Sequence, residues 1–424
     1  MRCALLVLLA LVSLPVAVGC KRRAPAPRGE PGMAPVTAVS SASAPPAASS
    51  ASAPGSASVE APPLHPPALA TRTLEEQKAC DAKTREMDQG LASGAISLAA
   101  KSKEFAVAYF YSNRVKGEGL LAFSGYSTAA IPLGTPHGLG KGLTHPPHII
   151  PRADQWLALW FDAEGLLYAK SGWAATMPSV ERLRAVSADE GPHTAILRTA
   201  AGAVLATAPL ARGATAQLGL FEFASEDGGP VKALGTSTGA SNPEHPALVE
   251  VEDGFLAAWE DQREGQPKEI HLARFDATGR ALGAAISLSG RGAHEPALAN
   301  TKSGALVAWD EGDERLVMVR ALDEHGAPRG PARPIARGTH ARLVPMGERT
   351  ALSFVDFMGR PSVVTLGDDG GTSPVLLVLH GKNPVVDAPA LAYADDGHLG
   401  IAYVLSGGMK AVLRIVKVDG CFEP

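Results

Sequence analysis

The chain has 424 residues, with 39 basic and 43 acidic side chains and a formal net charge of −4. No basic field is available to hold phosphates, which excludes nucleic acid as a partner. Length becomes a domain count only after targeting segments and repeats have been set aside.

Residues 1–20, MRCALLVLLALVSLPVAVGC, join Arg2, an apolar run from Ala4 to Val18 and a small-residue end, the layout of a secretory signal. Export with loss of residues 1–19 is expected. The ending Ala17-Val18-Gly19-Cys20 resembles the bacterial lipobox, with Ala17 where leucine is commoner. That resemblance implies a lipid on Cys20 and a membrane as partner through this anchor; an uncleaved span of about 17 residues is the alternative. Lys21 in place of Asp after the lipid cysteine favours the outer membrane of the cell envelope. No later segment approaches 18 apolar residues, so no other membrane span is expected.

Residues 20–70 are Pro, Ala and Ser in low-complexity array without Phe, Tyr or Trp. Nothing there buries enough apolar area to offset chain entropy, and a disordered tether is expected. Cys3 leaves with the signal and Cys20 takes the lipid. Cys80 and Cys421 bracket the remainder, and oxidising conditions favour a disulfide between them over two unrelated thiols.

Residues 71–424 carry a repeat. Tyr109, Trp160, Trp259, Trp309, Phe354 and Tyr403 occupy one place in similar apolar strands about 50 residues apart, and Thr207 in GAVLATAP fills the one double gap. Within a copy, PALVEVE, GFLAAWED, EIHLARFD and AAISLSG read as short strands bounded by turns such as DATG. Four short strands at this period indicate an all-β fold, a seven-bladed β-propeller of four-stranded antiparallel blades, preceded by the signal peptide and disordered linker. The blades fall near 91–140, 141–190, 191–241, 242–291, 292–338, 339–383 and 384–421. The last copy lacks room for a fourth strand, and AKTREMDQGL beside Cys80 is available to supply it. The phased aromatics are expected to pack between blades.

His145, His193, His245, His294 and His340 head the first strand of five copies. Asp162 follows His145 by 17 residues, while Asp261, Asp310 and Asp356 each follow their histidine by 16. This resembles the His and Asp staple inside WD40 blades, although the WD dipeptide is missing. The resemblance implies structural pairs His145–Asp162, His245–Asp261, His294–Asp310 and His340–Asp356. Pro209 takes the acid's place in the copy of His193, and Asp387 takes the histidine's place in the last, so His193 and Asp387 are the candidate ligand face. No metal site and no cofactor are expected. The acid pairs Glu260-Asp261 and Asp310-Glu311 read as a repeated turn.

Sialidase boxes, a nucleophile elbow, H-E-x-x-H and a P-loop are all missing. The chain resembles the lipid-anchored β-propeller proteins of bacterial envelopes. That resemblance implies a tethered, monomeric binding or scaffolding module for a protein or glycan, not an enzyme. The alternative is a propeller hydrolase or lyase with an unfamiliar site. An enzyme would converge unspent polar groups at one mouth of the ring, whereas a scaffold would leave Asp261, Asp310 and Asp356 consumed by their own histidines.

Overall fold

Runs of Ala, Leu and aromatic residues between Gly- and Asp-bearing turns fold as consecutive antiparallel hairpins. A computed structural model gives the unit at residues 62–424 and describes residues 65–422, apart from 88–90, 113–117, 144, 153–154, 172–179, 184–192, 200–201, 209–217, 225–230, 237–241, 264, 291, 381–382 and 408. The signal at 1–19, Cys20 and Pro209 lie outside the described residues, as does the tether up to residue 64. Among the described residues the strands form five four-stranded sheets and one of eight.

One sheet shows the plan. Pro243–Val251 pairs with Gly254–Asp261, which pairs with Glu269–Asp276, which pairs with Ile286–Ser287. Gly254 opens the second strand at φ 152°, and a Cβ there would lie 2.1 Å from the Phe275 carbonyl oxygen, so only glycine fits so close to the third strand. Gly304 repeats the arrangement against the Leu322 carbonyl at 2.2 Å.

The eight-stranded sheet arises from one long strand, Arg333–Met346. Its first part is the last strand of one sheet, against Leu316–Leu322, and its second part is the first strand of the next, against Arg349–Asp356. The far edge gains Ala70–Thr73, parallel to Val375–Val378. First strands meet their neighbours in cyclic order: Leu91–Lys101, His148–Pro151, His193–Thr199, Pro243–Val251, Ala293–Thr301, Arg333–Met346, Ala390–Tyr393, and again Leu91–Lys101. The sheets therefore form a ring with their first strands innermost.

The ring closes through the chain ends. Lys83–Met87 runs antiparallel to Lys410–Lys417 and completes the sheet that begins at Ala390. A disulfide joins Cys80, before that strand, to Cys421, after its partner. Both sulfurs are buried with Leu377, Ile401 and Tyr403. The expected disulfide and the closure it guards are both present.

Apolar seams run between sheets. Trp259 packs with Val204, Ala206 and Leu220 of the preceding sheet, and Trp309 with Leu256, Ala258 and Leu272. Trp160 lies against Phe110 and Phe123, Phe354 against Val317 and Val319, Tyr403 against Val363, and Tyr109 against Val404 and Leu413. All six rings are almost wholly buried, each worth roughly 1.5–3 kcal/mol. Each large ring sets the spacing to its neighbour, and only the sheet with Thr207 in that slot lacks one.

Candidate functional site

First strands begin, and second strands end, at the same end of the ring. There four sheets depart from regular pairing, the one that begins at Leu91 and three successive ones that share a single form of slip. The ladders slip between Glu244 and Ala247, between His294 and Ala297, and between Thr339 and Arg342. At the slip stand His245 (φ 47°), Glu295 (φ 48°) and His340 (φ 61°), in equivalent places and in the left-handed region. An L residue held there costs on the order of 1–3 kcal/mol, which a fold sustains where packing over-determines the backbone. The bulges turn three polar side chains toward one another's sheets.

Acids on the second strands hold these bulges. Glu260 Oε2 accepts the backbone N–H of Glu295 in the next sheet at 3.1 Å, and Asp310 Oδ2 accepts that of His340 at 2.7 Å. These are bonds from each sheet to the next. Glu260 is buried, pairs with Lys268, and lies 3.4 Å from His245 Nδ1 and 3.5 Å from His294 Nδ1. Burial pushes its carboxyl up, but the bonds from His245 and Lys268 outweigh it and bring the group to about 2. Lys268 also reaches Glu244 at 2.8 Å. Glu244, His245 and Glu260 place ligand atoms within 4.8 Å of one another. The Lys268 ammonium bridges the two carboxylates, so the positive charge there is the protein's own.

Glu295 and His340 make the most exposed close acid–base contact of the cluster, Nδ1 to Oε2 at 2.9 Å, with Arg342 Nη2 at 3.4 Å from the same oxygen. Burial opposes ionisation of Glu295, but the bond from His340 and the charge of Arg342 hold its pKa well below the ordinary range. The His340 imidazole is raised, first by its bond to Glu295. Beneath them Asp310 is pushed up to about 7, by burial and by the charge of Glu295, against the bond from the His340 amide. Its Oδ1 has no hydrogen-bond partner among the described residues. A carboxyl pushed up to about 7 thus sits under a carboxylate held well below the ordinary range and an imidazole raised above its own.

This geometry corrects the own-blade staples. Asp162 is held by Arg182 at 2.6 and 2.7 Å, and Asp356 by Arg360 at 2.8 Å. Asp261 accepts the Asn242 amide and stands 3.9 Å from His271, not at His245. Asp310 meets His340 of the next sheet and not His294. Arg182 wins through a fork onto both oxygens of Asp162, and Arg360 by setting Nε and Nη2 on one oxygen of Asp356. His145 is half-buried, with its pKa lowered by burial. Of the expected ligand face, His193 packs its ring 4.1 Å from that of His245 and falls to about 4, through burial and the His245 charge. Asp387 binds the Ala388 amide and raises His340 through its charge. The acid pairs are corrected as well: Glu260 and Asp261 end a strand and are buried.

Glu295 and Arg342 escaped the reading of the sequence. The available signal was an acid directly after the phased tryptophan. Glu260 and Asp310 stand there, where the other copies carry Phe110, Phe161, Ala208, Val355 and Val404.

No protein family and no curated protein matches the sequence. Solved structures share the architecture. The polysaccharide lyase Uly1 superposes with TM-score 0.50 at 10% identity, over 82% of this chain and 96% of that one. An α-L-arabinofuranosidase, arb93a of Fusarium graminearum, gives TM-score 0.44 at 11% identity over 78% and 94%. The Aleuria aurantia lectin gives 0.44 at 10% over 68% and 96%. The shared fold is the β-propeller. The expectation of a binding or scaffolding module is corrected: the structure that superposes with TM-score 0.50 is a polysaccharide lyase, and Asp261, Asp310 and Asp356 are not taken up by the histidines 16 residues before them. They converge at one end of the ring.

Proposed function

We propose that the chain is a seven-bladed propeller enzyme that cleaves glycosidic bonds of a polysaccharide, a hydrolase or lyase. Its chemistry lies at the cluster formed by His245, Glu295 and His340. The observation that carries this reading is the pair of Glu295 and His340. Both are partly exposed, they are bonded at 2.9 Å, and both are borne on left-handed bulges that nothing in a plain sheet requires. The likeness to a polysaccharide lyase over most of the chain supports the substrate class.

With Nδ1 committed to Glu295, His340 presents Nε2 as a proton donor to a leaving glycosidic oxygen. General acid catalysis of this kind is worth about 10²–10⁴ in rate. The Glu295 carboxylate stabilises the positive charge that develops on the sugar, or takes a proton from attacking water. Arg342 keeps Glu295 ionised. Asp310 fixes the His340 backbone and acts as a positioning residue. His193, neutral above about pH 4, is a base available for an elimination, and this favours the lyase as the second reading. The ring stands on a tether lipidated at Cys20 in the cell envelope, where such polymers are met.

A panel of neutral and acidic polysaccharides tests the proposal, read by reducing-end release and by the ultraviolet absorbance of unsaturated products. Glu295→Gln and His340→Ala should each lower kcat at least about 10²-fold with the fold retained. New reducing ends without unsaturation identify a hydrolase, and unsaturation a lyase. Turnover unchanged in both variants removes the site.

A further inference from the structure

Four strand ends carry related turns, and one of them breaks the pattern. In DATGR, Asp276 Oδ1 accepts the amides of Thr278 and Arg280 at 3.0 Å, Arg280 Nε returns to Oδ2 at 3.1 Å, and Gly279 sits at φ 80°. In DFMGR, Asp356 Oδ1 accepts the amides of Met358 and Arg360 at 2.9 Å, Arg360 Nε returns at 2.8 Å, and Gly359 sits at φ 77°. The turn chemistry is the same. Asp323 accepts the amides of His325 and Ala327 in DEHGA, and Asp369 that of Gly371 in DDGG.

The two central positions are Ala277-Thr278, Glu324-His325 and, in the DDGG turn, Asp368-Asp369, all small or polar. In the odd copy they are Phe357 and Met358, exposed by 77% and 58%. The turn needs neither apolar side chain, and neither enters the core. Water contact at a phenyl ring is unfavourable in proportion to its area, so folding does not account for this pair.

Its place in the ring is also different. DATGR and DEHGA join third to fourth strands, whereas DFMGR joins second to third, at the end that holds the cluster. Asp356 pairs with Gly338, two residues before His340. The Gly359 carbonyl accepts the Val385 amide at 2.9 Å, next to exposed Val386 and then Asp387, whose charge acts on His340. Phe357, Met358 and Val386 are therefore exposed apolar residues on neighbouring segments of the rim at the end of the ring that holds the cluster. Three side chains are far too few for a stable protein interface, which takes about 800 Å² from each partner. One sugar ring fits: a phenyl face is electron-rich and favours the C–H groups on the flat side of a pyranose.

We infer that Phe357, backed by Met358 and Val386, is a stacking platform for a pyranose ring of the polymer, one subsite removed from the Glu295–His340 pair. The inference rests on the proposed polysaccharide substrate. The turn holds the ring in place before the substrate arrives, so little side-chain ordering accompanies binding.

The test combines affinity electrophoresis in gels containing each polysaccharide with steady-state kinetics, on the full exported chain. Phe357→Ala should abolish retardation and raise KM for the polymer about tenfold at unchanged kcat and unchanged Tm, while Phe357→Trp restores both. Cleavage by the wild type with KM and retardation equal in the alanine variant overturns the platform and leaves the enzyme reading intact. Retardation of the wild type without cleavage, lost in the alanine variant, overturns the enzyme reading and keeps the platform. A wild type that no polysaccharide retards overturns the platform. So does an alanine variant whose only change is a lower sedimentation mass, which would assign these residues to a second copy of this chain.

Discussion

The sheets headed by His148 and His193 differ from those headed by His245, His294 and His340 at the start of the first strand. In the first pair the ladders run without a slip, Ile149 opposite Ala158 and Thr194 opposite Thr207. The residue after the aromatic slot is apolar, Phe161 or Ala208. There His148 is half-buried, bonds Thr194 Oγ1 of the next sheet at 2.6 Å, and is lowered to about 4 by burial alone. Across the ring the ladders bulge, the acids Glu260 and Asp310 fill that place in two of the three sheets, and His340 of the third is raised by Glu295. The same inter-sheet seam is bridged by an imidazole lowered by burial on one side and one raised by a carboxylate on the other. One extra residue at the strand head decides which, because a bulge re-aims a side chain that a regular strand would bury.

The comparison is sharpest at Glu260. Replacing it by Gln leaves Lys268 with Glu244 alone and weakens the acceptor for the Glu295 amide. Breaking a buried pair from one side costs about 3 kcal/mol. The same slot in the regular half is Phe161, where Leu should cost about 1 kcal/mol. Urea denaturation of both variants checks this, and equal losses would erase the distinction between the two halves.

A second difference is in pH. The folded chain holds the Asp310 proton up to about pH 7, whereas an unfolded chain releases it near the ordinary carboxylate value of 3.8. The folded state thus binds more protons between these limits, and stability falls as pH rises through that window. The wild type should lose on the order of 2 kcal/mol from pH 4 to pH 7, and Asp310→Asn should remove that slope. His340, also raised, leaves a smaller loss above pH 6.5 in both proteins. Glu260 and Glu295 act oppositely, and their contribution fades as pH falls from about 4.5 toward about 2. Parallel pH profiles of Tm for the two proteins would refute the assignment.

The ring was legible in the sequence because its cause is periodic. A large ring in six of the seven copies, glycines at strand starts and a pair of bracketing cysteines each leave a mark in the sequence. The cluster was not, and the histidines show why. His245 and His340 occupy the bulge, but in the sheet between them the bulge residue is Glu295 and His294 lies one place earlier. A constant step of 16 from each histidine therefore reached Asp261 and Asp356 at one place and Asp310 at another. Equal spacing concealed a slip of one residue, and in a strand one residue reverses the face. Pairing across the seam, from one sheet to the next, has no signature in spacing within a sheet.

The smallest predicted effect lies in the regular half. Thr194→Val removes the hydroxyl bonded to His148 Nε2 while nearly keeping the side chain's volume. A neutral hydrogen bond contributes about 1 kcal/mol, and leaving a buried ring nitrogen unpaired places the loss at the upper part of that range. His148 is lowered in the fold, so its charging opposes folding as pH falls from 6.5 toward about 4, and stability there should rise with pH. Removing the hydroxyl does not lift that burial, so the variant should keep the slope and lose only a constant increment. Urea midpoints at pH 5 and pH 7 separate the two terms. A loss larger than that at Glu260 would mean that the plain seam, and not the bulged one, carries the polar stabilisation of the ring.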